Sequence, residues 1–560
     1  MGSSPPKLAV IQPKGFPKGT PEFEEKRASI LEAFAKKVPP ELRLSPDIFE
    51  NPPLDVSKVP TECGILTPAE IDITENYDAT GLAEAIADRK LTAVEVATAF
   101  CKRSIIAHQL TCCLTQWFMH EARAQAKKLD DYLAETGKTV GPLHGVPISI
   151  KEHMPIAGTY SSYGSLASTR LQEKDCLMVS ILREKGAVFY CKTNQPQLIM
   201  HLESTSHYGR TLNPFNINLS AGGSSGGEGA LIGMKGSVLG VGTDIGGSIR
   251  GPGAFCGIYG FKPTSCTLPM KDYFADAFPA ELNVLCSTGP LCRSLRDMDF
   301  FTSTVLSAKP YVSDPKVIPM PWTGLKTEVK KPLKIGIISN DGFIDPQPPV
   351  KRAIAWARER LSDPKYSDIL QVKPFHPYNA AEAWTKVCRM YWPGGSKSAR
   401  DTVASTGEPL LSLSEWIFTE ADRQGMLDAN GVNELRVERD EFRYKFVDSW
   451  NQQDVDIVIG PAYVGPASEH DTGLHWTYTS LYNLVDYPGV VVPTPIKAET
   501  SDQYSEDFKP LSEPCRDVKE SWNASNSEGA PINLQIVARR YHDNELFGAL
   551  EVLKDVLNLS

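Results

Sequence analysis

Short runs of apolar and β-branched residues recur along this chain, separated by segments whose apolar positions follow a helical period. Val146-Pro147-Ile148-Ser149-Ile150 and Ala187-Val188-Phe189-Tyr190 predict two strands. Residues 335–338, 455–459, 489–492 and 532–537 predict four more. Runs this short, apolar on consecutive positions, suit strands covered on both faces. Helices are predicted between them. Thr92-x-x-Glu95 is a capping box, and Val96, Ala97, Phe100 and Cys101 supply the apolar face behind it. Residues 122–133, 352–361 and 544–557 read as further helices. Alternating strands and helices predict an α/β architecture with a largely parallel or mixed sheet.

The first 60 residues are proline-rich and charged, with one helix candidate. Thr20 is a cap with Pro21 at the first helical position. Phe23, Ile30, Leu31 and Phe34 are expected on one face before Pro39-Pro40 ends the helix. This predicts an N-terminal arm packed on a core. Residues 309–331, rich in proline, and 499–528, largely polar, are expected to be surface connections within one large domain.

Composition narrows the function classes. The 560 residues allow about three or four average domains, or one large enzyme with insertions. Acidic residues outnumber basic ones, 68 to 58, which argues against a general nucleic-acid binder. No run of about 18 apolar residues is present, so no integral membrane span is expected. Residues 1–6 lack the basic and apolar regions of a secretory signal, and Pro6 stands where a myristoylation site wants Ser or Thr. A cytoplasmic location is expected. None of the 12 cysteines forms Cys-x-x-Cys, so they read as reduced thiols, mostly in the core. The ten histidines show no zinc spacing, and no metal is expected.

Glycine and serine are concentrated between residues 220 and 260. The first tract is Ser220-Ala-Gly-Gly-Ser224-Ser225-Gly-Gly-Glu228-Gly; the second is Gly240-Val-Gly-Thr243-Asp244-Ile245-Gly246-Gly247-Ser248-Ile249-Arg250. Glycine lets the backbone approach a ligand, and successive N–H groups in such turns form an anion-binding nest. Three readings compete. A phosphate loop lacks the Gly-x-x-x-x-Gly-Lys-[Ser/Thr] pattern. A nucleophile elbow, Gly-x-Ser-x-Gly, is satisfied at Ser224 and again at Ser225, with His542 or His475 as a late-chain base. But Asn213-Pro-Phe-Asn-Ile-Asn-Leu219 precedes it, where a buried strand is wanted. The third reading joins both tracts to Lys151, which ends the run Gly145-Val-Pro-Ile-Ser-Ile. A lysine there is commonly exposed or paired with Glu152. If buried, its pKa falls and it becomes a neutral base.

Lys151 with its preceding run, Gly222–Ala230, Gly242–Arg250 and the continuation Pro252-x-Ala-Phe255-Cys256-Gly257-x-x-Gly260-x-Lys262-Pro263-Thr264 together resemble the amidase signature family. The separation of Ser224 from Ser248 fits that family. So do Pro488-Gly-Val-Val-Val-Pro493 and Gly529-Ala-Pro-Ile-Asn-Leu-Gln535-Ile-Val-Ala538. The resemblance covers about residues 80 to 557 and is greatest to fungal acetamidases and general amidases, with fatty-acid-amide hydrolases as relatives. It implies a large mixed β-sheet core covered by helices on both faces, with residues 1–79 as the arm and 80–557 as the signature domain.

The resemblance also implies a Ser–Ser–Lys triad: Ser248 as nucleophile, Ser224 as bridging serine after a cis peptide, and Lys151 as base. A serine hydroxyl needs such a base to attack at neutral pH. Backbone N–H groups of Ile245, Gly246, Gly247 and Ser248 would form the oxyanion hole. Ser225 is expected to hydrogen-bond Lys151. Asp244 and Arg250 are expected to hold the nucleophile loop, and Cys256 to be core. Glu152 stands where many members have Asp, and would oppose a neutral Lys151 if it faced the amine. Ile199, Met200, His201 and Leu202 are expected near the acyl side, Met200 against an apolar group. The implied activity is hydrolysis of primary monocarboxylic amides to carboxylate and ammonia through an acyl-enzyme, with no metal or organic cofactor. The implied partner is a small-molecule amide, with no nucleic acid; a homodimer is left open. The other readings are a fatty-acid-amide or indole-3-acetamide hydrolase, an amidotransferase-type subunit, and a non-catalytic scaffold that kept the fold.

Overall fold

A computed structural model describes residues 7–13, 16–273, 283–423 and 425–560. The reading of residues 1–6 therefore lies outside the described residues. Eleven strands form one mixed sheet. In chain order they are β1 (Leu114–Trp117), β2 (Pro147–Lys151), β3 (Val188–Thr193), β4 (Leu239–Asp244), β5 (Tyr259–Lys262), β6 (Ser287–Cys292), β7 (Leu333–Ile337), β8 (Leu370–Pro374), β9 (Ile457–Pro461), β10 (Gly489–Lys497) and β11 (Pro531–Ala538). Across the sheet they run β1-β3-β2-β4-β6-β5-β10-β11-β9-β7-β8. β3, β2 and β4 are mutually parallel, as are β8, β7 and β9. Antiparallel pairs join these two blocks through β6, β5, β10 and β11. β2, β3, β4 and β9 are buried at every residue, which requires cover on both faces.

Six of these strands were predicted, each to within a few residues. β4 and β6 were not. β4 carries Gly240 and Gly242, and β6 carries Gly289 and Pro290, residues that weaken any strand pattern. They nevertheless occupy the sheet centre. Gly240 makes room for Glu228 from the helix that follows Ser225 and Gly242 for Leu291 and Ser225, and β5 is registered with β6 only at Leu291 and Cys292, clear of Pro290.

The predicted caps are present. Thr92 and Glu95 exchange both capping-box hydrogen bonds at the start of the buried helix Ala93–Thr111. The helix Met119–Thr136 ends at Gly137 in the left-handed region. Thr20 caps Pro21–Ala35 by accepting from the Phe23 N–H. On that helix Phe23 is buried, Ile30 and Phe34 are half-buried, and Leu31 is exposed, so the expected face excludes Leu31. Arg27 ties the helix to the core by donating to the His207 carbonyl at 2.7 Å.

Residues 499–528 differ from expectation. They contain the helices Glu513–Glu520 and Ala524–Ser527. Ser512 caps the first, and its only buried residues, Cys515 and Val518, face the segment at Asp345 and Gln347. Two apolar positions one turn apart are too few to stand out in a polar tract, yet they suffice to dock a short helix.

Trp450 is fully buried near the end of the helix Ala429–Gln453. Its ring meets Phe375 and Tyr487 at centroid distances of 5.0 and 5.3 Å, and its N–H donates to Val455 at 2.9 Å. Trp450→Ala is expected to destabilise the protein by about 3–5 kcal/mol, read as a lower urea midpoint. An unchanged midpoint would refute its role as an anchor.

Candidate active site

The parallel pair β2 and β4 brings Lys151 to the second glycine–serine tract. Lys151, at the C-terminal end of β2, is fully buried. Its Nζ donates to Ser224 Oγ at 2.6 Å and to Thr243 Oγ1 at 3.1 Å. Burial pulls its pKa down to about 7, against the opposing influence of Cys286, Asp244 and Glu228. Among the described residues no carboxylate lies within ion-pair distance of it. Glu152 does not oppose it. That carboxyl accepts hydrogen bonds from Thr115 and Ser162, and it lies in the field of Lys192.

Ser224 follows a cis peptide bond from Gly223, as expected from the resemblance. Ser225 departs from expectation. Its hydroxyl donates to the Thr243 carbonyl at 3.4 Å and its N–H to the Ser248 carbonyl at 3.1 Å. It therefore links the two tracts, while Thr243 makes the second contact to Lys151.

The loop bearing Ser248 is organised around Asp244. Its carboxylate accepts from the N–H groups of Gly247 (2.8 Å) and Ile249 (3.1 Å). Arg250 grips it with two nitrogens, both at 3.0 Å, and Asn483 donates at 2.9 Å. Burial alone would raise the Asp244 pKa; Arg250 overcomes this and holds it below the usual carboxylate range. Because Gly247 donates to Asp244, its N–H is engaged and is not an open oxyanion donor. The N–H groups of Ile245, Gly246 and Ser248 have no acceptor among the described residues. Gly247 adopts φ 138°, and a Cβ there would lie 2.3 Å from Thr479 Oγ1, so glycine is required. Thr479 and Tyr391 fix the loop from outside by donating to the carbonyls of Gly246 (2.7 Å) and Ile245 (3.3 Å).

Ser224, Thr243, Ile245 and Ser248 open onto one cavity of about 480 Å³, walled mainly by apolar side chains. Leu198, Ile199, Met200, Leu268, Leu285 and Val317 are among them. Met200 is thus where it was expected, and Leu268, Leu285 and Val317 could not have been assigned from local sequence. His153 also lines the cavity, with Thr243 Oγ1 3.5 Å from its Nε2 and Gln195 Oε1 2.9 Å from its Nδ1; burial pushes its pKa well below the ordinary value. Gly246 and Gly247, with Ser248, border a much smaller void shared with His201, Leu202 and Trp476.

Neither histidine proposed for the elbow reading lines this cavity. His542 is exposed and His475 sits among Trp384, Trp416 and Trp476. The strand before the serines, Asn216–Ser220, pairs with Leu212–Asn213 and bridges Glu469 through Leu219, outside the main sheet. Cys256 is buried core; the cysteines that line the cavity are Cys266 and Cys286, and burial pushes the Cys286 thiol up to about 12. Among the described residues no three His, Cys, Asp or Glu side chains are placed to hold a metal ion, and no helix is long and apolar enough to cross a membrane.

Comparison with known proteins identifies the family. The Amidase family profile matches residues 95–547. A Schizosaccharomyces pombe chain named as an amidase is 43% identical over 507 residues, covering 90% of this chain and 94% of that one. The Emericella nidulans acetamidase is 34% identical over 552 residues, covering 96% and 98%. The solved structure of a fatty acid amide hydrolase superposes with a TM-score of 0.87 at 34% identity, covering 97% of this chain and 95% of the other. A profile spanning most of the chain, and relatives aligned over nearly their whole length, place this protein in the amidase signature family.

Proposed function

We propose that this amidohydrolase cleaves monocarboxylic amides through an acyl-enzyme, with Ser248 as nucleophile, Ser224 as bridge and Lys151 as base. The contact of the fully buried Lys151 amine with Ser224, beside Ser248 in an apolar cavity, carries this reading. Neutral Lys151 takes the Ser224 proton as Ser224 takes that of Ser248. Ser248 Oγ then attacks the amide carbon. The N–H groups of Ile245, Gly246 and Ser248 face the developing oxyanion. The proton returns through Ser224 to the departing nitrogen, giving ammonia from a primary amide. Water attacks the acyl-serine by the same relay in reverse.

The cavity bears on substrate size. Its volume falls within the range of sites that enclose a drug-sized ligand, about 300–1,000 Å³. That supports an acyl group larger than acetyl, aliphatic or aromatic. The fatty-acid-amide alternative draws on the same observation.

Ammonia release across primary amides of rising acyl size, from acetamide to hexanamide, benzamide, indole-3-acetamide and oleamide, tests the reaction and sizes the site together. Ser248→Ala is expected to lower turnover by at least about 10³-fold with an unchanged circular dichroism spectrum; retention of more than a few per cent sinks the assignment. Because the basic form of Lys151 is the neutral one, kcat/KM is expected to rise as pH increases through about 7. A profile flat from acid to alkaline contradicts the lysine base. Leu285→Trp is expected to raise KM for the larger amides several-fold while sparing acetamide; equal effects across the series would place the acyl group elsewhere.

A further inference from the structure

We propose that Glu228 is a positioning residue for this reaction, acting through Lys151 as the fixed counter-charge to the ammonium that forms when the base takes its proton. The inference rests on the triad reading above. Glu228 lies in the first turn of the helix Gly226–Gly233 and is fully buried. Its carboxylate accepts from Thr193 at 2.8 Å and from Ser149 at a short distance. These two anchors flank the base. Ser149 precedes Lys151 by two residues on β2, and so shares its side of the strand. Thr193 is the register partner of Lys151 on β3.

β4 completes the cradle. A Cβ on Gly240 would lie 2.0 Å from Glu228 Oε2, so this backbone position is bare to admit the carboxylate. Three neighbouring strands are thereby shaped around one buried acid that the serine chemistry itself does not touch.

The charges around Lys151 leave Glu228 as the available partner. Cys286 and Asp244 also act on it, with His153 just past the strand end. Asp244 is already paired with Arg250, burial keeps the Cys286 thiol protonated, and His153 is neutral. The other titratable groups in the field of Glu228 are Cys113, Cys191 and Tyr190, all held neutral by burial. Burial raises Glu228 to about 7, opposed by its two hydroxyl donors and by Lys151. Acid and base therefore titrate in one range and as a pair. No proton passes to Glu228 in the cycle. The proton leaves Ser224, rests on Lys151 and returns, while the carboxylate's charge stabilises the intermediate ammonium.

The test is the pH profile of kcat/KM for a hydrolysed primary amide, with Glu228→Gln compared to wild type. Losing the negative charge makes the ammonium less favourable, so the acid limb is expected to move to lower pH by about one unit. Coincident limbs overturn the proposal, even if the variant is less stable. Thr193→Val, which removes one donor and so weakens the ionised carboxylate, carries a smaller shift of the same sign and decides the matter if Glu228→Gln does not fold. Lys151→Met, assayed in parallel, separates the two readings. Full activity in it overturns both; an inactive Lys151→Met with coincident limbs overturns only the role of Glu228.

Discussion

An amine taken out of water, with hydroxyls and no directly bonded carboxylate around it, is the constraint on which this site depends. Desolvation penalises the charged form and brings the lysine into the range where it serves as a base at neutral pH. A salt bridge at Nζ would undo this by restoring the preference for the ammonium. The fold accordingly turns Glu152 away, toward Thr115, Ser162 and the field of Lys192. It pairs Asp244 with Arg250. The carboxylate left in the neighbourhood, Glu228, is held by the hydroxyls of Ser149 and Thr193, neither of which bonds Lys151 Nζ.

The second requirement is a nucleophile loop that does not move. Its backbone must present open N–H groups, which no side chain can replace. Asp244 gathers the N–H groups of Gly247 and Ile249, and thereby fixes the orientation of those that remain. The loop's carbonyls are held by Tyr391 and Thr479, and its arginine by Asn483 and Gln535. All four come from the C-terminal half. The sheet is therefore more than a support: β10 and β11 join the strands that carry the base to the half that clamps the nucleophile.

Where the chain reading failed, competing local physics explains it. β4 and β6 contain glycine where neighbouring groups fill the space of a Cβ, and those glycines together with Pro290 erase a strand signal. Leu31 follows the helical period of its neighbours yet stays exposed, since the arm contacts the core along a narrower stripe. Ser225 was given the contact that Thr243 makes, because adjacent serines in a turn do not disclose which hydroxyl faces the amine.

The sequence alone determined the reaction class and the three groups proposed to perform it. Lys151, Ser224 and Ser248 sit in long motifs whose glycines are dictated by backbone conformation and close approach. Capping residues and apolar periods fixed five helices and six strands, because those signals are local. Only the tertiary structure decided the electrostatics and the shape of the site. Whether Lys151 is neutral depends on its burial and on where Glu152, Asp244 and Glu228 point. Which N–H groups stay open depends on Asp244. The width of the acyl site depends on Leu268, Leu285 and Val317, far along the chain from the base. These are properties of distances between segments remote in sequence, which no local pattern encodes.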